Sequence, residues 1–111
     1  MFERLTQGAV DLVRGDDPIN AEHVEELARL FQESAGRGQP FVVLDLEKVP
    51  LVDSAGLELL LDYRESFQQL GGALKLAAAN PLCEDILSIT GVGAGFEIFR
   101  EPLSALGSFV R

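Results

Sequence analysis

The sequence predicts an α/β fold: a central mixed sheet of four to five strands layered with about four helices. Three observations lead there. Elements alternate along the chain as β(β)αβαβαβα, the order that builds a sheet covered by helices. The run Phe41-Val42-Val43-Leu44 is continuously apolar, as in a strand buried on both faces. Cap residues, prolines and glycines punctuate the helical segments where starts and stops are needed. A length of 111 residues suits one compact domain spanning 1–111. Its parallel crossovers should be right-handed.

Taken in order, 8–15 (GAVDLVRG) places Val10 and Leu12 in alternation and reads as a strand with Val13 at its edge. The preceding MFERLT can pair with it as a hairpin turning at Gln7-Gly8. Asn20 is the expected N-cap of a helix over Ala21–Ala35, with Val24, Leu27, Ala28 and Phe31 as its apolar stripe. Glu25 and Arg29 sit at i, i+4 on the other side, and Gly36 and Gly38 end the helix. The strand that opens at Phe41 is followed by a helix from Ser54 to Leu70, closed by Gly71-Gly72. That helix carries two stripes: Leu57, Leu60, Leu61 and Phe67, then Leu59, Tyr63, Ser66 and Leu70. A surface helix needs only one. Either both are buried, one on the sheet and one on a neighbouring helix, or Leu59 and Tyr63 form an exposed patch for a partner.

The alanines of 73–79 favour helix in isolation, yet seven residues between Gly-Gly and Asn-Pro are too few, so the segment reads as a strand. Asn80 then caps a helix with Pro81 at its first position, and Glu84 and Asp85 fall in the first turn, where the dipole favours acids. Cys83, Ile86, Leu87 and Thr90 are its expected stripe and Gly91 its end. A short strand, Phe96–Phe99, precedes a last helix starting at Glu101-Pro102, with Leu103, Leu106 and Val110 expected inward.

Composition removes several function classes. Eighteen acids against nine bases give a net charge of −9, a field that repels phosphate backbones and anionic membrane surfaces. Neither nucleic acid nor direct membrane insertion is expected, since no run approaches the ~20 apolar residues of a membrane helix. The N-terminus lacks a signal-peptide core, and a single cysteine excludes an internal disulfide, so a cytoplasmic protein is expected. The one histidine, His23, lies beside Glu22, Glu25 and Glu26 and reads as a solvated face residue; metal sites draw on several His or Cys, so no metal or cofactor is expected. Cys83 reads as a buried helix residue. The run GVGAG (91–95) resembles a nucleotide loop, but it follows a helix and precedes a strand, the reverse of that fingerprint, and no lysine completes a phosphate loop. A nucleotide-binding protein built on it is the reading of another class, which a nucleotide titration without heat or turnover would remove. No Gly-x-Ser-x-Gly elbow supports a serine triad, and no enzyme is expected.

The chemistry concentrates at Leu51-Val52-Asp53-Ser54-Ala55-Gly56-Leu57, where a strand region meets a helix start. Free N–H groups and partial positive charge at a helix N-terminus suit a Ser or Asp cap, so one of the two can be a cap and nothing more. Against that, Leu57 and not Glu or Gln stands three residues after Ser54, so there is no capping box. Two small residues follow Ser54, although glycine costs a helix about 0.5–1 kcal/mol relative to alanine. An open surface that admits a partner's active site would favour them. On that view Gly56→Val should harm partner binding more than stability.

The order Leu44-Asp45-Leu46, Val49, Asp53-Ser54-Ala55-Gly56-Leu57, a long helix, Gly71-Gly72, a strand, Asn80-Pro81, and Thr90-Gly91 before Phe96 resembles a STAS domain of the anti-sigma factor antagonist type. The resemblance covers about the last two-thirds of the chain. It implies the STAS fold and makes Ser54 a phospho-acceptor. It also implies a partner that is both anti-sigma factor and serine kinase, and a serine phosphatase that resets the switch. Asp17, Asn20 and Ala21 can be laid on the family's loop before the first helix, with Asp16 in place of its usual apolar residue. Asp17 reads equally as a pre-cap acid in a polar loop. The implied partner surface comprises Asp17, Asn20, Asp53, Ser54, Ala55 and Gly56, with Leu59 and Tyr63 added if their stripe is exposed. STAS domains also serve as non-switching scaffolds or as subunits of signalling and lipid-transport complexes, which is the alternative function.

Overall fold

The computed structural model describes residues 1–110. Strands β1 (Phe2–Gln7) and β2 (Val10–Gly15) lead to helix α1 (Val24–Ala35), then β3 (Phe41–Asp45), α2 (Ser54–Gln69), β4 (Ala73–Ala77) and α3 (Pro81–Ile89). A 3₁₀ turn (Val92–Gly95), a two-residue β5 (Ile98–Phe99) and α4 (Pro102–Gly107) complete the chain. The sheet runs in sequence order, β1-β2-β3-β4-β5. Its first pair is antiparallel and all others are parallel. This is the expected α/β architecture, with five strands and four helices.

The continuous apolar run in β3 is explained by burial on both faces. Val42 and Leu44 join the larger core with Leu27, Phe31, Leu60, Phe67, Cys83 and Leu87 from α1, α2 and α3. Val43, between them, faces the other way and meets Val10, Leu12, Ala77 and Ala105. Three helices therefore cover one face of the sheet and α4 covers the other. The hairpin turns at Gly8-Ala9, one residue later than the sequence suggested, because Gly8 takes the positive φ of 64° that the tight turn requires.

Several expectations are corrected. Helix α1 begins at Val24, not Ala21, because 21–23 form a turn closed on the Asn20 carbonyl by His23 N (2.9 Å) and Val24 N (3.0 Å). Its buried residues are Leu27, Leu30, Phe31 and Ser34; Val24 and Ala28 are only half-buried. Ser34 is drawn inward by Asp11 on β2, to which its hydroxyl donates at 2.6 Å. Leu103 of α4 and Val110 beyond its end are 76% and 75% exposed; Ala105 takes the core position, and Leu106 and, past the helix, Phe109 pack beside it. A small residue lets this six-residue helix lie close on β3 and β4. In α3, Thr90 is exposed and bonds the Ile86 carbonyl at 2.6 Å, leaving Cys83 and Leu87 as the buried pair.

Asp11, a charged residue in an alternating strand, is buried at the α1 seam. Arg37 Nη1 (2.5 Å), Thr6 Oγ1 (2.9 Å) and Arg4 Nη1 (3.1 Å) join Ser34 around its carboxylate. Burial raises its pKa, but these donors and the Arg37 charge outweigh that, so the carboxyl titrates below its ordinary value. On the α4 side, Lys75 Nζ lies 4.0 Å from the Phe109 ring centroid and donates to Ser108 Oγ at 2.7 Å.

Candidate functional site

The β3–α2 junction decides which neighbour caps the helix. Asp53 has extended backbone (φ −94°, ψ −172°), and its Oδ1 accepts from Gly56 N at 3.0 Å while its carbonyl accepts from Leu57 N at 2.9 Å. Asp53 is thus the N-cap. Ser54 is the first helical residue, is exposed, and its hydroxyl makes no hydrogen bond among the described residues. The carboxylate takes the structural duty and leaves the hydroxyl free at the positive end of α2.

Gly56 is not the open surface its size suggested. It is buried, and a Cβ there would collide with the Ile19 carbonyl and lie only 2.8 Å from both Ile19 Cγ2 and Val52 Cγ1. The glycine is required by close backbone approach, so the expectation that Gly56→Val spares stability is reversed. Ile19 is fully buried and forms a parallel bridge with Val52. Its N–H donates to the Leu51 carbonyl at 3.0 Å, and its carbonyl accepts from Asp53 N at 3.1 Å. Two backbone bonds therefore sew the β2–α1 loop to the Ser54 junction.

That seam brings Asp17 and Asn20, which flank Ile19, to the same end of the sheet as Ser54. Asn20 Oδ1 accepts from Glu22 N at 3.1 Å and lies 3.0 Å from His23 Nδ1. Asp17 pairs with the Met1 amino group and lies 3.7 Å from His23 Nε2. His23 is accordingly a half-buried member of this loop and not a solvated face residue. Asp, Asn and His at successive three-residue spacings were the available signal for that cluster. Asn80 braces the junction from the far side: it caps Cys83 N at 2.8 Å and donates to the Val49 carbonyl at 3.0 Å. Cys83 is buried as expected, and that burial pushes its thiol pKa up.

Leu59 and Tyr63 lie one and two turns down α2 and are half-buried against the core. The Tyr63 ring sits 5.2 Å from Phe31 and 5.7 Å from Phe67, and its hydroxyl donates to the Ala28 carbonyl at 3.4 Å. Both side chains thus pack at the α1–α2 seam with part of their surface accessible, while Leu70, at the end of the same stripe, is exposed. Ser54, Glu58, Asp62 and Glu65 occupy the outer face of α2 and are all exposed, so the hydroxyl stands at the head of an acidic ridge.

The run GVGAG keeps its helix-to-strand context: Gly91 ends α3 at φ 76°, and Arg64 Nη1 donates to the Gly95 carbonyl at 3.1 Å. Among the described residues, no group of three or more His, Cys, Asp or Glu could hold a metal ion, and no helix is long and apolar enough to cross a membrane.

A model of the STAS domain matches residues 3–105. The chain belongs to the STAS domain family. Among relatives of this STAS domain, BtrV of Bordetella bronchiseptica, named as a candidate anti-sigma factor antagonist, is 26% identical over 91 residues, covering 82% of this chain and 78% of the relative. A Thermotoga maritima protein named in the same way superposes with a TM-score of 0.91 at 22% identity, over 99% of this chain and 95% of that one. The Bacillus cell fate determinant SpoIIAA, solved in its phosphorylated form, superposes with a TM-score of 0.75 at 17% identity, over 100% of both chains. These likenesses place the five strands and four helices in the STAS fold.

Proposed function

We propose that this STAS domain is a cytoplasmic anti-sigma factor antagonist: a binding module, not an enzyme, that engages a protein acting as both anti-sigma factor and serine kinase. Phosphorylation of Ser54 by that partner switches the module off, and a serine phosphatase restores it. The observation that carries this reading is the division of labour at the α2 N-terminus. Asp53 caps the helix through Gly56 N at 3.0 Å, so the exposed Ser54 hydroxyl can accept a phosphate without loss of a cap. The partner surface comprises Asp17, Asn20, Asp53, Ser54 and Ala55, with Gly56 shaping the backbone beneath; Leu59 and Tyr63 contribute only their exposed edges.

A phosphoserine adds about −1.5 to −2 charges. Within the protein, the free N–H groups and dipole of α2 favour that charge. At an interface, the same charge stands beside Asp53 and above Glu58 and Asp62, where desolvating it is costly. Exclusion of the partner therefore requires no change of fold. The test is intact mass with peptide mapping after wild type and Ser54→Ala are incubated with ATP and native-host lysate. One added phosphate, mapped to Ser54 and absent from the variant, supports the switch. Ser54→Ala should then retain the partner, and Ser54→Asp should bind it weakly. If neither protein gains phosphate while a control substrate does, the switch is wrong and a non-switching scaffold takes its place.

A further inference from the structure

The two edges of the sheet are finished differently. At the β1 edge, the Phe2 N–H is taken by the Glu26 carboxylate of α1 at 2.9 Å. At the β5 edge, Leu76 N donates to the Glu97 carbonyl at 3.0 Å and Ala78 N to the Phe99 carbonyl at 2.9 Å. Glu97 and Phe99 therefore face β4. Ile98, between them, turns its N–H and C=O outward, where the sheet has no further strand. Its side chain is 43% exposed. Beside this edge runs a groove in two compartments, of about 420 and 340 Å³, which share Glu84 of α3 and Ile98. Leu87, Gly93 and Ala94 give the first compartment apolar walls. A Cβ on Gly93 would lie 3.1 Å from Leu87 Cβ, so the 3₁₀ turn sits close against α3 there. Arg100 lines the second compartment, past the end of β5.

We infer that this edge and groove form a docking site for an extended segment of a partner protein, which adds a strand to β5. The outward Ile98 groups select an extended backbone, because the backbone groups of a helix are already bonded to one another. In an added strand, side chains two residues apart point to the same side, about 6.6 Å from one another. The first compartment takes an apolar side chain. Glu84, between the compartments, matches a lysine or arginine two residues along, and Arg100 matches a carboxylate two residues beyond that. A two-residue strand offers backbone pairing at one residue only, so these side-chain contacts carry the selection. A second copy of the chain is a poorer occupant, since it would bring two charges of −9 together. The groove is built on α3, β5 and the loops beside them and not on α2, so it does not depend on Ser54 being phosphorylated.

The test uses two peptides that present this pattern in opposite directions. Ac-Thr-Leu-Thr-Lys-Thr-Glu-Thr-NH2 matches a strand parallel to β5, and Ac-Thr-Glu-Thr-Lys-Thr-Leu-Thr-NH2 an antiparallel one. Each is titrated into the ¹⁵N-labelled protein, and the amides of Ile98, Phe99 and Arg100 are followed by NMR. Saturable shifts are expected with at least one peptide, and the tighter one gives the strand direction. Ile98→Pro deletes an outward N–H that β4 does not use, so the fold should persist. It should bind at least about tenfold more weakly. Glu84 is exposed, so Glu84→Lys keeps the inference testable if Ile98→Pro is unstable. That variant should reject these peptides and accept ones in which glutamate replaces the lysine. The inference is overturned if neither peptide gives saturable shifts at these amides, if a folded Ile98→Pro binds as wild type does, or if Glu84→Lys keeps the wild-type preference. It is also overturned if sedimentation shows the free protein to be a dimer that Ile98→Pro dissociates, because a second copy then occupies the edge.

Discussion

Replacing Gly56 with alanine tests how the site is assembled. In an ordinary helix the change would be favourable by about 0.5–1 kcal/mol. Here the new Cβ would lie 2.8 Å from Ile19 Cγ2 and from Val52 Cγ1, and nearer still to the Ile19 carbonyl. Two of these neighbours are fixed: the carbonyl accepts from Asp53 N at 3.1 Å, and the Ile19 side chain is fully buried. Relief requires α2 to move off the 16–20 loop or that hydrogen bond to stretch. Overpacking costs about 1–3 kcal/mol, and a weakened hydrogen bond adds about 0.5–1.5 kcal/mol. After the propensity gain, a net loss of about 2 kcal/mol remains. With an unfolding entropy of about 0.23 kcal/mol/K for a chain of this length, the melting temperature should fall by roughly 9 °C. Differential scanning calorimetry of wild type and Gly56→Ala measures this directly. A melting temperature equal to or above that of the wild type would show that the loop yields freely, and the rigid seam beneath Ser54 would have to be abandoned.

Asp53→Ala removes the α2 cap and should cost about 1 kcal/mol by chemical denaturation, whereas Ser54→Ala should be nearly silent in the same assay; equal losses would refute the assignment of the cap to Asp53. Asn80→Ala loses the α3 cap and the tie to the Val49 carbonyl, so a loss of about 1–2 kcal/mol is expected, with amide exchange accelerated at Cys83. Tyr63→Ala opens the cluster with Phe31 and Phe67 and should destabilise by about 2 kcal/mol; a large binding defect at unchanged stability would show instead that the ring faces a partner. The Asp11 carboxyl titrates below its ordinary value in the folded protein, so its stabilisation is present above the ordinary carboxylate pKa and disappears as pH falls through the folded value. Asp11→Asn should accordingly flatten the acid limb of the stability profile while lowering stability at neutral pH, and an unaltered limb would show that other carboxylates control it.

How much of this was legible in the sequence depended on range. Features fixed by a few adjacent residues were read correctly: the start of α3 at Asn80-Pro81, the end of α2 before Gly71-Gly72, and the doubly buried run of β3. Ser54 was singled out by its local motif, and the structure places it exposed at the start of α2. Features fixed by partners far along the chain were not readable. Asp11 is a carboxylate in an alternating strand, and its donors come from 5 to 26 residues away. Gly56 was read as a surface concession because nothing nearby announces the Ile19 carbonyl, which approaches from a loop more than thirty residues earlier in the sequence. Leu103 and Val110 were placed inward by hydrophobicity alone, yet α4 meets the sheet through Ala105 because the small side chain permits closer approach. His23 was judged by its acidic neighbours in sequence, while in space it sits between Asp17 and Asn20.

Those long-range features bear on how a charge switch can operate. Electrostatic exclusion works only if the charge appears at a fixed position, since a mobile loop could turn a phosphate away from an approaching partner. Ser54 is held from three directions: by the Asp53 cap at 3.0 Å, by the Ile19 backbone at 3.0 and 3.1 Å, and by Asn80 through the Val49 carbonyl at 3.0 Å. None of these bonds involves the Ser54 hydroxyl, so modification leaves the bracing intact. The acids of α2 then define what the phosphate adds to. Glu58, Asp62 and Glu65 follow Ser54 down one exposed face, so the unmodified surface already favours a basic partner, and the phosphate deepens that field. Attraction alone would therefore strengthen with phosphorylation. In the switch we propose, the loss of binding would therefore come from close contact at Ser54 itself, where desolvating a phosphate against Asp53 would outweigh the gain in long-range attraction.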